Sequence, residues 1–233
     1  MFSHTSLEDF YKQTAAALPN GIAKEIGHFN VFEAEKLFDK ATGKRTMPYS
    51  RRDYYKISWI KGKSRAEYAD KVIDLAANAL LFATPKIPYH WIPEDDQTGM
   101  FCIFTPDFLA QSKSGVVLDD LPIFQPGQIP AFQLSDEEVT EIEYIFRKML
   151  KELSSDYKYK YDLLRNLVLE LIHYGQKLQP MSALSTTQNA SQRISSLFIE
   201  LLERQFPLAS ADQRLSLRSA KDYADRLAAC KSS

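Results

Sequence analysis

Apolar and polar positions alternate with a period of two through residues 55–60, where Tyr55, Ile57 and Trp59 are interleaved with Lys56 and Ser58. That spacing predicts a strand with one buried face. Lys61-Gly62-Lys63 breaks the run, and residues 64–68 return to a weaker alternation. Asp70-Lys71 reads as a tight turn into Val72-Ile73, and Asn78 precedes the apolar run 79–83, which Pro85 ends. Three or four closely spaced strands within 54–91, with turn signals between them, predict a barrel or sandwich rather than a parallel sheet.

The flanking segments lead in and out of this stretch. Thr5-x-x-Glu8 has the form of a capping box, and Leu7, Phe10, Tyr11, Thr14 and Leu18 follow at helical spacing until Pro19-Asn20-Gly21. Residues 27–32 read as an edge strand and 40–48 as a polar, basic loop. Glu94-Asp95-Asp96 opens a solvated turn, residues 100–104 read as a strand, and Thr105-Pro106-Asp107 starts a short helical turn. Residues 111–128 are loop-rich, and Phe132 and Leu134 suit a last strand.

At Ser135 the period changes from two to about 3.6. Ser135-x-x-Glu138 is a second capping box, followed by Val139, Ile142, Phe146, Met149 and Leu153 on one face. A second helix is predicted over 157–178, its stripe of Tyr161, Leu164, Val168 and Leu171 widened by Leu163, Leu167 and Ile172. A stripe that wide exceeds what one surface helix buries on its own domain, and its 3-4 spacing predicts a symmetric dimer interface with a second copy. After a polar connector at 181–190, a third helix carries Ile194, Leu197, Phe198, Leu201 and Leu202 until Pro207. Residues 207–216 read as a linker, and Ser219-x-x-Asp222 caps a short helix. The expected division is therefore 1–134, 135–206, 207–216 and 217–233.

Composition narrows the chemistry. The 233 residues are 45% hydrophobic and 25% charged, with a formal net charge of -1, so no overall basic field announces nucleic acid. Only Cys102 and Cys230 occur, which suits a buried thiol in a reducing compartment better than a disulfide framework. No apolar run approaches the ~20 residues of a membrane span, and the N-terminus lacks a secretory pattern; a soluble, cytoplasmic protein with no membrane partner is expected. His4, His28, His90 and His173 are scattered, without the pairing that clamps a metal, and no phosphate loop or nucleophile elbow is present. Tyr157 and Tyr161 read as core positions, with Lys158 and Lys160 on a solvated face. No catalytic residue, metal or cofactor is expected. The apolar strand face, Tyr55, Ile57 and Trp59, together with Tyr89, is the candidate lining of a small-molecule pocket.

The segments Arg51-Arg52-Asp53-Tyr54-Tyr55-Lys56-Ile57, Gly62, Pro85-Lys86-Ile87-Pro88-Tyr89 and 218–227, in this order and spacing, resemble AraC-type transcriptional regulators over essentially the whole chain. The resemblance implies an α+β protein: a cupin-like antiparallel β-barrel that senses a small-molecule effector, helices that form a homodimer, and a DNA-binding domain with two helix-turn-helix units. Residues 218–227 look like the first helix of the first such unit, with Arg218, Lys221, Tyr223 and Arg226 as its stub. The recognition helix would follow Leu227, so DNA binding is expected of a longer protein and not, specifically, of this chain. Metal-binding cupins place His-x-His and a carboxylate on an early strand; here those positions hold Ser50, Arg52 and Lys56, or Tyr49, Arg51 and Tyr55. At the later turn Tyr89 or His90 takes the histidine position. The alternatives are a cupin-fold enzyme and a stand-alone ligand-binding or interaction module.

Overall fold

A computed structural model describes residues 3–14, 27–37, 47–67, 72–75, 77–85, 87, 89–112, 115–124, 131–178, 198, 201–202 and 215–229. The chain divides into two units, Met1–Pro180 and Met181–Ser233. In the first unit the described strands are β1 (Ser3–Thr5), β2 (Phe29–Glu33), β3 (Met47–Arg52), β4 (Tyr55–Lys61), β5 (Ser64–Glu67), β6 (Val72–Leu75), β7 (Ala79–Ala83), β8 (Tyr89–Pro93), β9 (Thr98–Phe104) and β10 (Ala131–Gln133). Its helices are α1 (Leu7–Thr14), α2 (Ala34–Leu37), α3 (Pro106–Ala110), α4 (Asp136–Leu153) and α5 (Lys160–Leu178).

The strands form two five-stranded sheets, of order β1-β3-β8-β5-β6 and β10-β7-β4-β9-β2. Pairing is antiparallel except between β1 and β3. The ladders leave two separate sheets with edge strands, not one closed barrel. The alternating run lies at the centre of the second sheet: β4 pairs with β7 and β9, placing Lys56 opposite Ala83 and Ile103, and Ser58 opposite Leu81 and Phe101. Gly99 (φ 123°) makes that pairing close, because a Cβ there would run into the Trp59 carbonyl.

The two faces of this sheet meet different partners. Tyr55, Ile57, Trp59, Leu80, Phe82, Met100, Cys102 and Phe104 join one core with Ile142, Phe146, Met149, Leu164, Val168, Leu171 and Ile172 from α4 and α5. On the opposite face Ile60, Leu81 and Ala83 meet Tyr89 and Trp91 of the first sheet. Phe101 and Ile103 pack with Phe10, Tyr11 and Tyr54, so α1 covers that end. Each fully buried Leu, Ile or Phe contributes about 1.5–3 kcal/mol relative to exposure. The apolar side of β4 therefore faces helices, and its polar side faces another sheet.

Local signals behave as their chemistry dictates, with small displacements. Ser135 and Glu138 form the expected reciprocal capping box on α4. At α1 the box sits one residue later than Thr5-x-x-Glu8: the Asp9 amide donates to Ser6 Oγ at 3.1 Å, and the Ser6 amide donates to Asp9 Oδ2 at 3.2 Å. Leu18 lies outside the described residues, as does the turn at Asp70-Lys71. Residues 47–52 are strand, although the basic loop was expected to reach 48. Helix α5 begins at Lys160, and Tyr157 and Tyr159 are 55% and 54% exposed; the core position expected for Tyr157 is thus a surface one. Ile145 adds to the buried face expected of α4. Helix α5 is fastened to α3 by the buried Arg165, whose Nε donates to the Phe108 carbonyl at 2.7 Å and whose Nη2 donates to Gln111 at 3.0 Å.

Next to α1 a small polar network is buried among rings. Asn30 Nδ2 donates to the Tyr11 hydroxyl at 2.8 Å, and that hydroxyl lies 3.1 Å from His28 Nε2. Burial lowers the His28 pKa to about 4. Between about pH 6.5 and pH 4 the unfolded chain binds a proton that the folded one refuses, so stability must fall as pH falls through that window, by about 2 kcal/mol. Urea denaturation at pH 7 and pH 5 should show this loss, and His28→Gln should reduce it; equal losses in the two proteins would exclude His28 as the cause.

In the second unit Phe198, Leu201 and Leu202 are helical, and α6 spans Ala220–Ala229. The expected cap is present: the Arg218 and Ser219 amides donate to Asp222 Oδ2, both at 2.8 Å, and the Asp222 amide donates to Ser219 Oγ at 3.3 Å. Those donors hold the Asp222 carboxyl below its ordinary pKa. Residues 181–190, 194, 197 and 207–214 lie outside the described residues.

Candidate effector site between the sheets

A lysine on a strand covered on both faces is largely removed from bulk water, and Lys56 is such a residue. It is 7% exposed, its ammonium 4.1 Å from the Phe101 ring centroid. Among the described residues it makes no hydrogen bond and no ion pair. Beside it, Arg52 is 5% exposed, with its guanidinium carbon 4.3 Å from the Tyr89 ring centroid. No Asp or Glu is among the buried side chains of the described residues. Burial first, and the Arg52 charge second, lower the Lys56 pKa to about 7. Ring faces stabilise the two cations in part, by about 2 kcal/mol each when desolvated.

Lys56 and Ser58 from β4, Leu81 from β7, Tyr89 and Trp91 from β8 and Phe101 from β9 line a cavity of about 30 Å³. Ala34, Gln97 and Thr98 line its more exposed end. At the ~10–15 Å³ each water requires, it has room for two or three waters. A cavity with aromatic walls, buried positive charge and no buried carboxylate is built to attract a small anion.

The sequence-derived pocket residues separate in the structure. Trp59 and Tyr89 line this cavity. Tyr55 and Ile57 do not: both face the helices, and Tyr55 donates to Asp119 Oδ1 at 3.0 Å while stacking on Phe104. In this structure Tyr55 and Ile57 pack in the core with the helices. Lys56, Ser58, Phe101 and Trp91, the residues that carry the cavity's character, were not predicted. The available signal was Lys56 itself, a lysine between Tyr55 and Ile57 in a strand and close to Arg52 in sequence.

The residues expected at a dimer interface are placed as follows. Leu164, Val168 and Leu171 are each 0% exposed, packed within their own chain, and Tyr161 packs against the same core. The apolar residues exposed on these helices are Tyr144 and Leu163. Of the stub, Arg218, Lys221 and Arg226 are exposed, while Tyr223 is buried against Phe198, ring centroids 4.8 Å apart. The Cys102 thiol is buried and its pKa raised to about 12, so it is inert. Among the described residues no three metal-binding side chains come together, and no helix is long and apolar enough to cross a membrane.

No protein-family model matches the chain, and no curated protein matches it. Among solved structures it is similar to the AraC-like transcriptional activator CuxR, with a TM-score of 0.40 and 14% identity over 94% of this chain and 79% of that one. It is also similar to unsaturated fatty acid-bound wild-type ToxT from Vibrio cholerae strain SCE256, with a TM-score of 0.39 and 16% identity over 86% of this chain and 68% of that one. A second ToxT crystal form gives 0.40 and 14%, over 86% and 70%. Likeness at this level describes neighbours and decides nothing about the site.

Proposed function

We propose that the chain is the effector-sensing and dimerising region of an AraC-like transcriptional regulator, and that its effector is a small organic anion held between the two sheets. In this reading residues 1–134 form a cupin-like sensor, 135–206 serve dimerisation, and 217–233 begin a DNA-binding domain that acts in a longer protein. Dimerisation would use the outer faces of α4 and α5, where Tyr144 and Leu163 stand exposed. The observation that carries the reading is Lys56, a buried amine with no ion pair or hydrogen bond, lining a cavity beside a second buried cation. A fold that buries Lys56 without an anionic partner leaves a place for a ligand's negative charge.

Titration calorimetry at pH 6.5 with acetate and with acetamide, its uncharged isostere, tests this. Acetate should bind at least about tenfold more tightly, equivalent to about 1.4 kcal/mol, and Lys56→Met should remove the difference. Equal binding of the two, or no binding of either, would overturn the assignment of an anion site.

A further inference from the structure

We propose that the cavity captures its ligand covalently: the Lys56 amine condenses reversibly with the carbonyl of a small oxo acid, whose carboxylate is favoured by the positive charge of the nearby buried Arg52. The inference rests on the reading of this cavity as the effector site and names the ligand's chemical class.

An amine adds to a carbonyl only through its lone pair. An ordinary lysine, with a pKa of ~10.4, withholds that pair at neutral pH. Lys56 is placed otherwise. It sits on the central strand β4, in a pocket walled by Phe101, Tyr89 and Trp91, with no hydrogen bond or ion pair to hold its proton. Burial and Arg52 bring its pKa to about 7, so about half the molecules carry the free amine at neutral pH. Desolvating a lysine next to another cationic group is a general way of making an amine nucleophilic.

The chemistry balances without a further reactant. The Nζ lone pair forms a bond to the carbonyl carbon, the C=O π pair moves onto oxygen, and the nitrogen's proton transfers there to give a carbinolamine. Loss of that hydroxyl with a second nitrogen proton releases water and leaves a C=N bond, with nothing oxidised or reduced. A neutral imine removes one of two neighbouring positive charges, and the ligand's carboxylate supplies the negative charge that the buried side chains lack. A space of two or three waters limits the ligand to few heavy atoms, which makes glyoxylate, the smallest oxo acid, the right probe.

The full chain is incubated with glyoxylate and sodium borohydride, which delivers hydride to the imine carbon and fixes it as a secondary amine, and is then digested and mapped by mass spectrometry. Lys56 should gain the mass of glyoxylic acid less one oxygen atom, at least ~10-fold faster than the exposed Lys151 and Lys158. Labelling of Lys56 no faster than of those lysines overturns the proposal. Calorimetry with acetate then separates the two readings. If acetate binds while Lys56 stays unlabelled, covalent capture alone falls; if acetate also fails to bind, the effector site falls with it. Lys56→Arg removes the primary amine, with folding checked by circular dichroism. Persistence of the adduct at residue 56 is impossible in that variant, so any undiminished total labelling would place the reaction elsewhere and sink the proposal.

Discussion

Leu171→Glu is expected to unfold the protein at room temperature, as is Leu164→Glu, and neither should yield a folded monomer. Both leucines are completely buried where α5 packs in the core shared with α4 and the β4 sheet. The substitution removes about 2–5 kcal/mol of packing and adds the cost of a carboxyl group with no partner. The combined penalty reaches the ~5–15 kcal/mol that keeps a domain folded. Far-ultraviolet circular dichroism with urea titration measures it. Leu163→Glu is the control: that side chain is 38% exposed and one position away on the same helix, and its replacement should cost less than about 1 kcal/mol. If Leu171→Glu were folded and monomeric while the wild type dimerised, the stripe would be an interface after all, and the packing described here would be wrong.

Lys56→Met is expected to stabilise the protein while abolishing anion binding. At pH 7 the native site holds an amine whose pKa burial has moved from 10.5 to about 7. That shift of about 3.5 units corresponds to an upper limit of about 5 kcal/mol, and a gain of about 2–3 kcal/mol is expected once the lost contact with Phe101 is counted. The sign with pH follows. Between pH 7 and pH 10.5 the unfolded chain binds a proton that the folded chain has released, so wild-type stability rises with pH across that window. Lys56→Met lacks this rise. Urea midpoints for both proteins at pH 7 and pH 9.5 give the comparison. A variant less stable than wild type at pH 7, or an equal pH slope in the two, would mean that Lys56 is neither desolvated nor poised for a ligand.

Short-range chemistry was legible in the residues themselves. The caps Ser135/Glu138 and Ser219/Asp222 form as written, because a hydroxyl and a carboxylate three residues apart satisfy amides in the same turn whatever lies beyond. Pro106 starts α3, the period of two marks β4, and short apolar runs mark β7 and β9, for equally local reasons. The extra width of the α5 stripe was also legible, and it did signal burial on more than one side. The sequence could not say by what: periodicity reports that a face is covered, not whether a sheet, a neighbouring helix or a second chain covers it.

The same limit hid the site. Alternation separates Lys56 and Ser58 from Tyr55, Ile57 and Trp59, and on a sheet with one wet face the polar set would point to water. Here helices cover the apolar face and the first sheet covers the polar one, so a pattern that reads as inside and outside becomes two insides. Only long-range pairing, which brings β8 and its Tyr89 and Trp91 across from β4, decides that the lysine is enclosed and that its charge is costly. The strand and its two faces were thus determined by residues 55–60 alone; that the polar face encloses Lys56 was decided by the element folded on top of it.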